Sequence, residues 1–280
     1  MKIFATSDLH WKAVKKKGDQ STRRLAEYVC QKGEKNDVLL LLGDQGSSLK
    51  HIAELLELFQ TFPGKKLAVP GNHDLWSKTG STEDYYQTVL DLMEIKNFHP
   101  LDRAAVKIQG IGFAGCVGWY DYSFKDDEDI PLSYFEKKIS PYSNQLCWRD
   151  ATFCRWGNSD QEVTKKQLKI LEKQLWTLCE CKTVIVGLHH VPIKSLLFQP
   201  RSILPRSKRF TNSFLGSQKF SETIESFPRT RLVLCGHIHR RKSVRNGKIL
   251  YTSIGSSYRR KELNVITVRG KKADHKVRKF

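Results

Sequence analysis

Residues 4–10 of the chain read Phe-Ala-Thr-Ser-Asp-Leu-His, an apolar run that ends in Asp8 and His10. The apolar part is typical of a buried strand. Asp8 and His10 are two positions apart, so extended backbone would direct both side chains to one face. This stretch decides the fold because the chain repeats the same arrangement.

Four later apolar runs also end in residues that bind metals. They lead into Gly43-Asp44, Gly71-Asn72-His73-Asp74, His189-His190 and Gly236-His237-Ile238-His239. Ligands bind beyond the carboxyl ends of strands in open α/β sheets, so these strand ends are expected to converge. A lone Asp-x-His motif is common in proteins, whereas five such ends in one chain are improbable by coincidence.

The spacing of apolar residues predicts an α/β chain with a single domain over residues 1–280. Strands are predicted at Lys2–Ser7, Val38–Leu42, Lys66–Val69, Val106–Cys116, Thr183–Leu188, Arg231–Cys235, Ile249–Ile254 and Leu263–Val268. Helices are predicted at Ser21–Lys32, Ser48–Phe59, Thr82–Met93 and Asp160–Cys179, with N-caps at Ser48 and at Ser81 or Thr82. Alternation over the first hundred residues predicts a parallel sheet, and closer strands later predict a second, mixed or antiparallel sheet.

Residues 119–160 interrupt this alternation with ten aromatic residues, Trp119 and Trp148 among them. An irregular segment of this length is usually functional or disordered, and its aromatic content argues against disorder. We expect a packed cap over the site. The alternative is an aromatic mini-core without substrate contact.

Composition limits the class of protein. The chain has 280 residues, of which 39% are hydrophobic, and no apolar run reaches the roughly 20 residues that cross a bilayer. The first residues form a strand pattern without the features of a signal peptide, so we expect a cytoplasmic protein. Seven scattered cysteines agree with reduced thiols.

The formal net charge is +19, and the basic residues are clustered. Such charge attracts polyanions, and the alternative is a basic surface that serves solubility. Lys12, Arg240 and Arg241 lie beside the motifs, so we expect them to contact a phosphate-containing substrate.

The candidate ligands are carboxylate, amide and imidazole without thiolate, which suits Mn, Fe or Zn. Two such ions need a shared bridging group, and a carboxylate has the two oxygens for it. A pair of ions would activate a bridging hydroxide for attack at phosphorus.

The motifs resemble those of the calcineurin-like metallophosphoesterase superfamily, which has D-x-H, G-D, G-N-H-[ED], a strand-end His and G-H-x-H in this order. The resemblance implies a four-layer α/β/β/α sandwich with two divalent metal ions. It implies that Asp8, His10 and His239 hold one ion, that Asn72, His237 and a motif-four histidine hold the other, and that Asp44 bridges them. It also implies that His73 is the general acid.

The motif-four ligand stays open between two neighbours. Counting from the apolar run favours His189, whereas counting back from Pro192 favours His190. We favour His189, with His190 nearby.

The chain also departs from relatives within the superfamily. Protein Ser/Thr phosphatases carry G-D-x-x-D-R-G, and the residues at 43–48 lack its second Asp and its Arg. The partner of His73 is therefore open, with Asp74 and Ser47 as candidates. Residues 118–123 and 155–157 resemble a group of uncharacterised bacterial metallophosphoesterases, which assigns no substrate.

The sequence thus predicts a metal-dependent hydrolase of phosphate mono- or diesters. One alternative is a nuclease, because of the charge and the aromatic rings, although double-strand-break nucleases with similar motifs have a long downstream region. A second is a binding protein that has lost catalysis. We expect no membrane partner, and the sequence does not predict the oligomeric state.

Overall fold

The structure is a computed structural model that describes residues 1–13, 17–77, 79–126, 129–197, 205–269 and 272–280. Its strands are β1 (Lys2–Thr6), β2 (Val38–Leu42), β3 (Lys65–Val69), β4 (His99–Pro100), β5 (Val106–Ile108), β6 (Ile111–Cys116), β7 (Thr183–Leu188), β8 (Thr230–Cys235), β9 (Lys242–Asn246), β10 (Ile249–Ser253), β11 (Glu262–Arg269) and β12 (Lys272–Lys279). Its helices are α1 (Lys17–Lys32), α2 (Leu49–Glu57), α3 (Thr82–Ile95), α4 (Leu132–Lys137), α5 (Asp150–Phe153), α6 (Asp160–Thr177), α7 (Arg206–Thr211) and α8 (Lys219–Glu225).

The strands form two six-stranded sheets. The first has the order β12-β11-β1-β2-β3-β4, and the second has the order β5-β6-β7-β8-β10-β9. Strands β1 to β4 are parallel, as the sequence predicts, while β11 and β12 are added antiparallel. The second sheet is mixed, because antiparallel β5 and β9 flank four parallel strands.

Three hydrophobic clusters make this a four-layer sandwich. Between the sheets, Leu40 and Val69 of the first belong to one cluster with Ile185 and Leu234 of the second. Helices α1 to α3 cover the outer face of the first sheet, and α6 and α8 cover that of the second. The α/β/β/α sandwich is confirmed, and it directs the carboxyl ends of the parallel strands in both sheets to one edge.

The helix ends agree with local capping chemistry. The Ser48 hydroxyl accepts a hydrogen bond from the amide of His51, and the Ser81 hydroxyl accepts one from Glu83. Ser159 begins α6 with a reciprocal hydrogen-bonded pair to Glu162. The two predicted N-cap positions are confirmed, with Ser81 rather than Thr82 at the second.

One predicted strand is wrong. The sequence predicts a single strand over Val106–Cys116, but the chain turns back at Gln109 and Gly110 to form the β5–β6 hairpin. Both residues have positive φ, at 50° and 79°. The sequence pattern does not reveal this turn, because apolar residues continue on both sides of it.

The aromatic-rich segment 119–160 packs around a buried carboxylate. Asp160 accepts hydrogen bonds from the indole of Trp119 at 2.8 Å, from the Tyr122 hydroxyl and from the Lys138 ammonium at 2.6 Å. The Trp119 side chain is fully buried. An ion pair with two aromatic donors therefore holds the two ends and the middle of the segment together.

Candidate metal centre

Loops beyond five parallel strands bring the candidate ligands together. Backbone hydrogen bonds from Asp8 to Gly43 (3.0 Å) and from His10 to Asp44 (2.8 Å) continue the pairing of β1 and β2 past the strand ends. The Asp8 carboxylate accepts the amide of His237 at 3.0 Å, which joins the first sheet to the loop after β8. The site is therefore built where the two sheets meet.

Asp44 lies between two groups of ligands. Its Oδ2 is 3.4 Å from Nε2 of His10, and its Oδ1 is 3.4 Å from Nε2 of His189. The ligand atoms of Asp8, His10 and His239 lie within 4.8 Å of one another, and so do those of Asp44, His189 and His237. One carboxylate thus directs one oxygen towards each group.

The second group also contains an amide oxygen. Nε2 of His189 lies 3.1 Å from Oδ1 of Asn72 and 3.1 Å from Nδ1 of His237. Nε2 of His189 therefore lies close to an amide oxygen, a carboxylate oxygen and a second imidazole nitrogen, which together are a donor set for a divalent cation.

Backbone carbonyls fix the orientation of two imidazoles. Nδ1 of His189 lies 3.0 Å from the carbonyl oxygen of Leu42, and Nδ1 of His239 lies 2.9 Å from that of Ser256. Each contact requires the proton on Nδ1, which leaves the Nε2 lone pair directed into the site. Ligating histidines are commonly held in this way.

The two motif-four histidines have different surroundings. His189 belongs to the ligand group, whereas the Nδ1 of His190 lies 3.1 Å from the carbonyl oxygen of Val117. The His190 ring packs against those of Trp119 and Tyr120, and its Nε2 is buried without a hydrogen-bond partner. The geometry favours His189 as the ligand and places His190 behind it.

Electrostatics also suit a cation. Burial raises the pKa of Asp44 well above its usual range, and the nearby carboxylates of Asp8 and Asp74 add to this. Burial lowers the pKa of His10 and His237 well below the usual value, so both rings are neutral, the form that binds metal. A divalent cation would stabilise the ionised form of Asp44, so the residues present fit a metal centre.

The backbone at the site is unusual. Asp8, His10, Asp44, His237 and His239 all have positive φ, between 43° and 71°. Residues other than glycine rarely adopt this left-handed conformation, which costs about 1–2 kcal/mol each. Such strain accumulates where function requires a particular side-chain direction.

His73 lies beside the ligands with its ring accessible from the cavity. Its Nε2 is 4.0 Å from Oδ2 of Asp44, and its ring stacks on the indole of Trp76 with centroids 3.8 Å apart. Burial, with smaller effects from nearby cationic groups such as Arg149, lowers the pKa of His73 to about 3. An anionic phosphate beside the ring would act in the opposite direction.

Among the described residues, the contacts of the His73 ring are with Asp44, His10 and Trp76, and neither sequence-based candidate for its partner is among them. The Asp74 carboxylate accepts the backbone amides of Gly46 and Gly71, each at 2.8 Å, and so it holds the ligand loops together. Ser47 is exposed. Trp76 occupies the position beside the His73 ring instead.

Asp150 is a site residue that the sequence reasoning missed. Its buried carboxylate accepts the Asn72 side-chain amide at 2.9 Å, the Trp76 indole at 2.7 Å and the Trp148 indole at 2.9 Å. It therefore orients the Oδ1 of a candidate ligand and fixes two aromatic rings. The only sequence signal was an acidic residue within the aromatic segment, far from any strand end.

A cavity of about 310 Å³ opens over the ligands. It is lined by Asp44, Asn72, His73, Trp76, Cys147, Trp148, Arg149, Asp150, His237, His239 and Tyr258. Lys12, Arg240 and Arg241 are exposed and are not among the described residues of this lining. The cation that the structure places at the cavity is Arg149, which no motif indicated.

The sequence profile of the calcineurin-like phosphoesterase family matches residues 1–241, and the chain belongs to this family. No curated protein matches the chain in sequence.

The seven cysteines are free thiols. Within the described ranges, no helix has the length and apolar character needed to span a membrane.

Two solved structures show the same fold. Phosphopantetheinyl hydrolase from Mycobacterium tuberculosis has 15% sequence identity and a TM-score of 0.69, over 91% of this chain and 89% of that one. A dimetal phosphatase from Danio rerio has 10% identity and a TM-score of 0.60, over 99% of this chain and 95% of that one. At these identities, the similarity concerns the fold alone.

Proposed function

We propose that the chain is a divalent-metal-dependent phosphoesterase that hydrolyses phosphate mono- or diesters. Residues 1–280 would form one catalytic unit, with residues 119–160 as its cap. Two ions (Mn, Fe or Zn) would be held by Asp8, His10 and His239 and by Asn72, His189 and His237, with Asp44 shared between them.

The observation that carries this proposal is the position of Asp44. Its two oxygens each lie 3.4 Å from an imidazole nitrogen of a different ligand group. A carboxylate buried solely to stabilise the fold would be expected to accept several protein N–H donors on both oxygens. Asp44 accepts the backbone amide of His73 on Oδ1, and its Oδ2 faces the imidazoles of His10 and His73.

The residues divide the chemistry between them. Two bound cations would polarise the phosphoryl group and lower the pKa of water. His73 would donate a proton to the leaving oxygen, because its ring reaches the cavity beside the ligands. Asp150 would keep Asn72 oriented, and the buried Lys261 ammonium would hold the loop of Asp8, whose carbonyl oxygen it contacts at 3.0 Å.

Metal reconstitution tests the proposal. Metal-stripped protein should gain turnover of bis-para-nitrophenyl phosphate or para-nitrophenyl phosphate when Mn²⁺ is added, and the ratio of the two rates distinguishes diesterase from monoesterase. Asp44→Asn should lose bound metal and turnover together, since it removes the shared carboxylate. Metal content is measured by mass spectrometry.

His99→Gln is the matched control, because His99 is a histidine of the sheet edge that contacts the carbonyl oxygen of Ala104. It should keep both metal and turnover. An Asp44→Asn variant with two bound metals and unchanged turnover would show that the assignment is wrong.

A further inference from the structure

The cavity walls above the ligands combine aromatic rings with one cation. The lining contains Trp76, Trp148, Arg149 and Tyr258 in addition to candidate ligands and His73, and these four residues are called the walls below. A site that takes only a phosphate group needs no aromatic wall. The aromatic rings therefore indicate that the cavity also contacts the organic group to which the phosphate is attached.

Trp148 is a rigid ring at this wall. Its indole N–H is fixed by the buried Asp150 carboxylate at 2.9 Å, and Phe214 stacks on it with centroids 5.5 Å apart and planes at 19°. The part of the Trp148 ring that Phe214 does not cover borders the cavity. A ring held in this way offers stacking area without loss of conformational freedom on binding.

Tyr258 offers a second ring on the other ligand group. It stacks on His10 and His239 with centroids 4.5 and 5.0 Å apart, and 39% of the residue is exposed. The two rings thus border the cavity from the side of each ligand group.

Arg149 supplies positive charge to the same cavity. Its guanidinium lies 5.4 Å from the centroid of the Trp76 ring and 5.5 Å from that of Phe153. Among the residues that the structure describes, no carboxylate forms an ion pair with it. A planar guanidinium above a stacked surface is well suited to phosphate oxygens.

We propose that the substrate is a single-nucleotide-sized phosphate ester that carries a planar ring. The ring contacts Trp148 and Tyr258, and the phosphate lies between Arg149 and the ligand cluster. The cavity volume of about 310 Å³ is at the lower end of the range that holds small ligands, which favours one nucleotide over a polymer. This inference names the substrate class of the proposed phosphoesterase and therefore rests on that function.

A matched pair of ligands tests the recognition of the ring. Adenosine 5′-monophosphate and ribose 5-phosphate share the sugar and phosphate and differ by the base. Their dissociation constants are measured by calorimetry on the metal-free full chain, where no turnover occurs. Adenosine monophosphate should bind about 5- to 150-fold more tightly, as expected for stacking of one base.

Variants separate ring recognition from phosphate recognition. Trp148→Leu should remove most of the preference and leave ribose 5-phosphate binding unchanged, whereas Trp148→Phe should keep it because the ring remains. Arg149→Gln should weaken both ligands equally. Trp176→Leu is the control, since Trp176 is 64% exposed on α6 and lies outside this lining.

Equal affinity for the two ligands, no saturable binding of either, or a preference that survives in Trp148→Leu would overturn the proposal. An oligonucleotide that binds far more tightly than adenosine monophosphate would overturn the single-nucleotide size.

Turnover keeps this proposal distinct from the function on which it rests. Thymidine 5′-(4-nitrophenyl phosphate) and ethyl 4-nitrophenyl phosphate share a leaving group, and the manganese-loaded chain should prefer the first in kcat/KM. Hydrolysis of both esters with equal kcat/KM would contradict ring recognition and would leave the phosphoesterase function in place. Hydrolysis of neither, and of no other ester tested, contradicts the phosphoesterase function, while the binding comparison still decides ring recognition.

Discussion

His189 and His190 are identical neighbours that the fold directs to different tasks. The strand β7 ends just before them, so one side chain enters the ligand group and the other packs behind it against Trp119. We therefore predict that His189→Asn loses metal from the second group, whereas His190→Asn keeps its metal when folded. Metal content per folded chain is the measurement, and equal metal loss in both variants would contradict the assignment.

His73 should affect the leaving group and not metal binding. The ring reaches the cavity, and the backbone amide of His73 donates to Oδ1 of Asp44, a hydrogen bond that His73→Asn retains. We predict that His73→Asn keeps its metals while turnover falls by about 10²–10⁴-fold.

Leaving groups of different acidity supply the control for this prediction. Good leaving groups need little protonation, so their loss in His73→Asn should be smaller. An equal loss for good and poor leaving groups would rule out the general-acid role.

At the scale of single residues, the sequence could indicate the candidate ligands but not the neighbouring residues that orient them or line the cavity. Strand-end motifs identify residues such as Asp8 and His237 because spacing alone fixes their positions relative to the sheet. Asp150 and Arg149 approach from a segment without regular spacing, so only tertiary packing reveals them. The choice between His189 and His190 depended on where β7 ends, which a sequence pattern gives to within a residue or two.

Among the elements, the aromatic-rich segment depends on a buried ion pair. Lys138 and Asp160 lie 2.6 Å apart, with side chains about one-tenth exposed. We predict that Lys138→Gln lowers the free energy of unfolding by about 3–5 kcal/mol, because it leaves a buried charge without its partner. Chemical denaturation measures this change.

The chain offers a matched control for this substitution. Lys166 pairs with Glu83 at 3.6 Å, and both side chains are more than two-fifths exposed. Lys166→Gln should cost at most about 1 kcal/mol, because solvent screens the exposed pair. Similar losses in the two variants would show that the Lys138 pair contributes no more than a surface ion pair.

Long periodic elements were predictable from sequence, and short or polar ones were not. Helix α6 and strand β7 have regular apolar spacing, which the sequence analysis identified. Strand β12 consists mainly of charged and polar residues, and it forms only because β11 provides eight paired positions. The α4 and α5 turns are similarly fixed by the packing around Asp160 and Asp150.

For the whole molecule, the net charge of +19 is the main observation that favours the alternative function of a nuclease. The structure corrects one part of that hypothesis, because the buried Trp119 side chain offers no surface on which a base could stack. The basic residues of β12 cannot be removed by truncation without disturbing the site. Phe280 exchanges backbone hydrogen bonds with Lys261, the residue that supports the Asp8 loop.

Surface substitutions give the cleaner prediction. If the charge serves nucleic acid, single-stranded DNA should bind the metal-free chain at low salt, with an affinity that falls steeply as salt rises. Lys276→Gln and Lys279→Gln, both at exposed positions, should each reduce the salt slope by about 0.7 if the lysine neutralises one phosphate, with small-ester turnover unchanged. Binding that is undetectable at about 50 mM salt would assign the basic surface to solubility.

The left-handed backbone of the candidate ligands has a consequence for the stability of the fold. Five positions at the site hold residues other than glycine where glycine would relieve strain. Glycine there would also remove side chains that hold the site together, such as the Asp8 carboxylate, which accepts the amide of His237. The five positions therefore combine a strained backbone with the side chains that the proposed metal centre needs, and part of the stability of the fold is given up for the direction in which those side chains point.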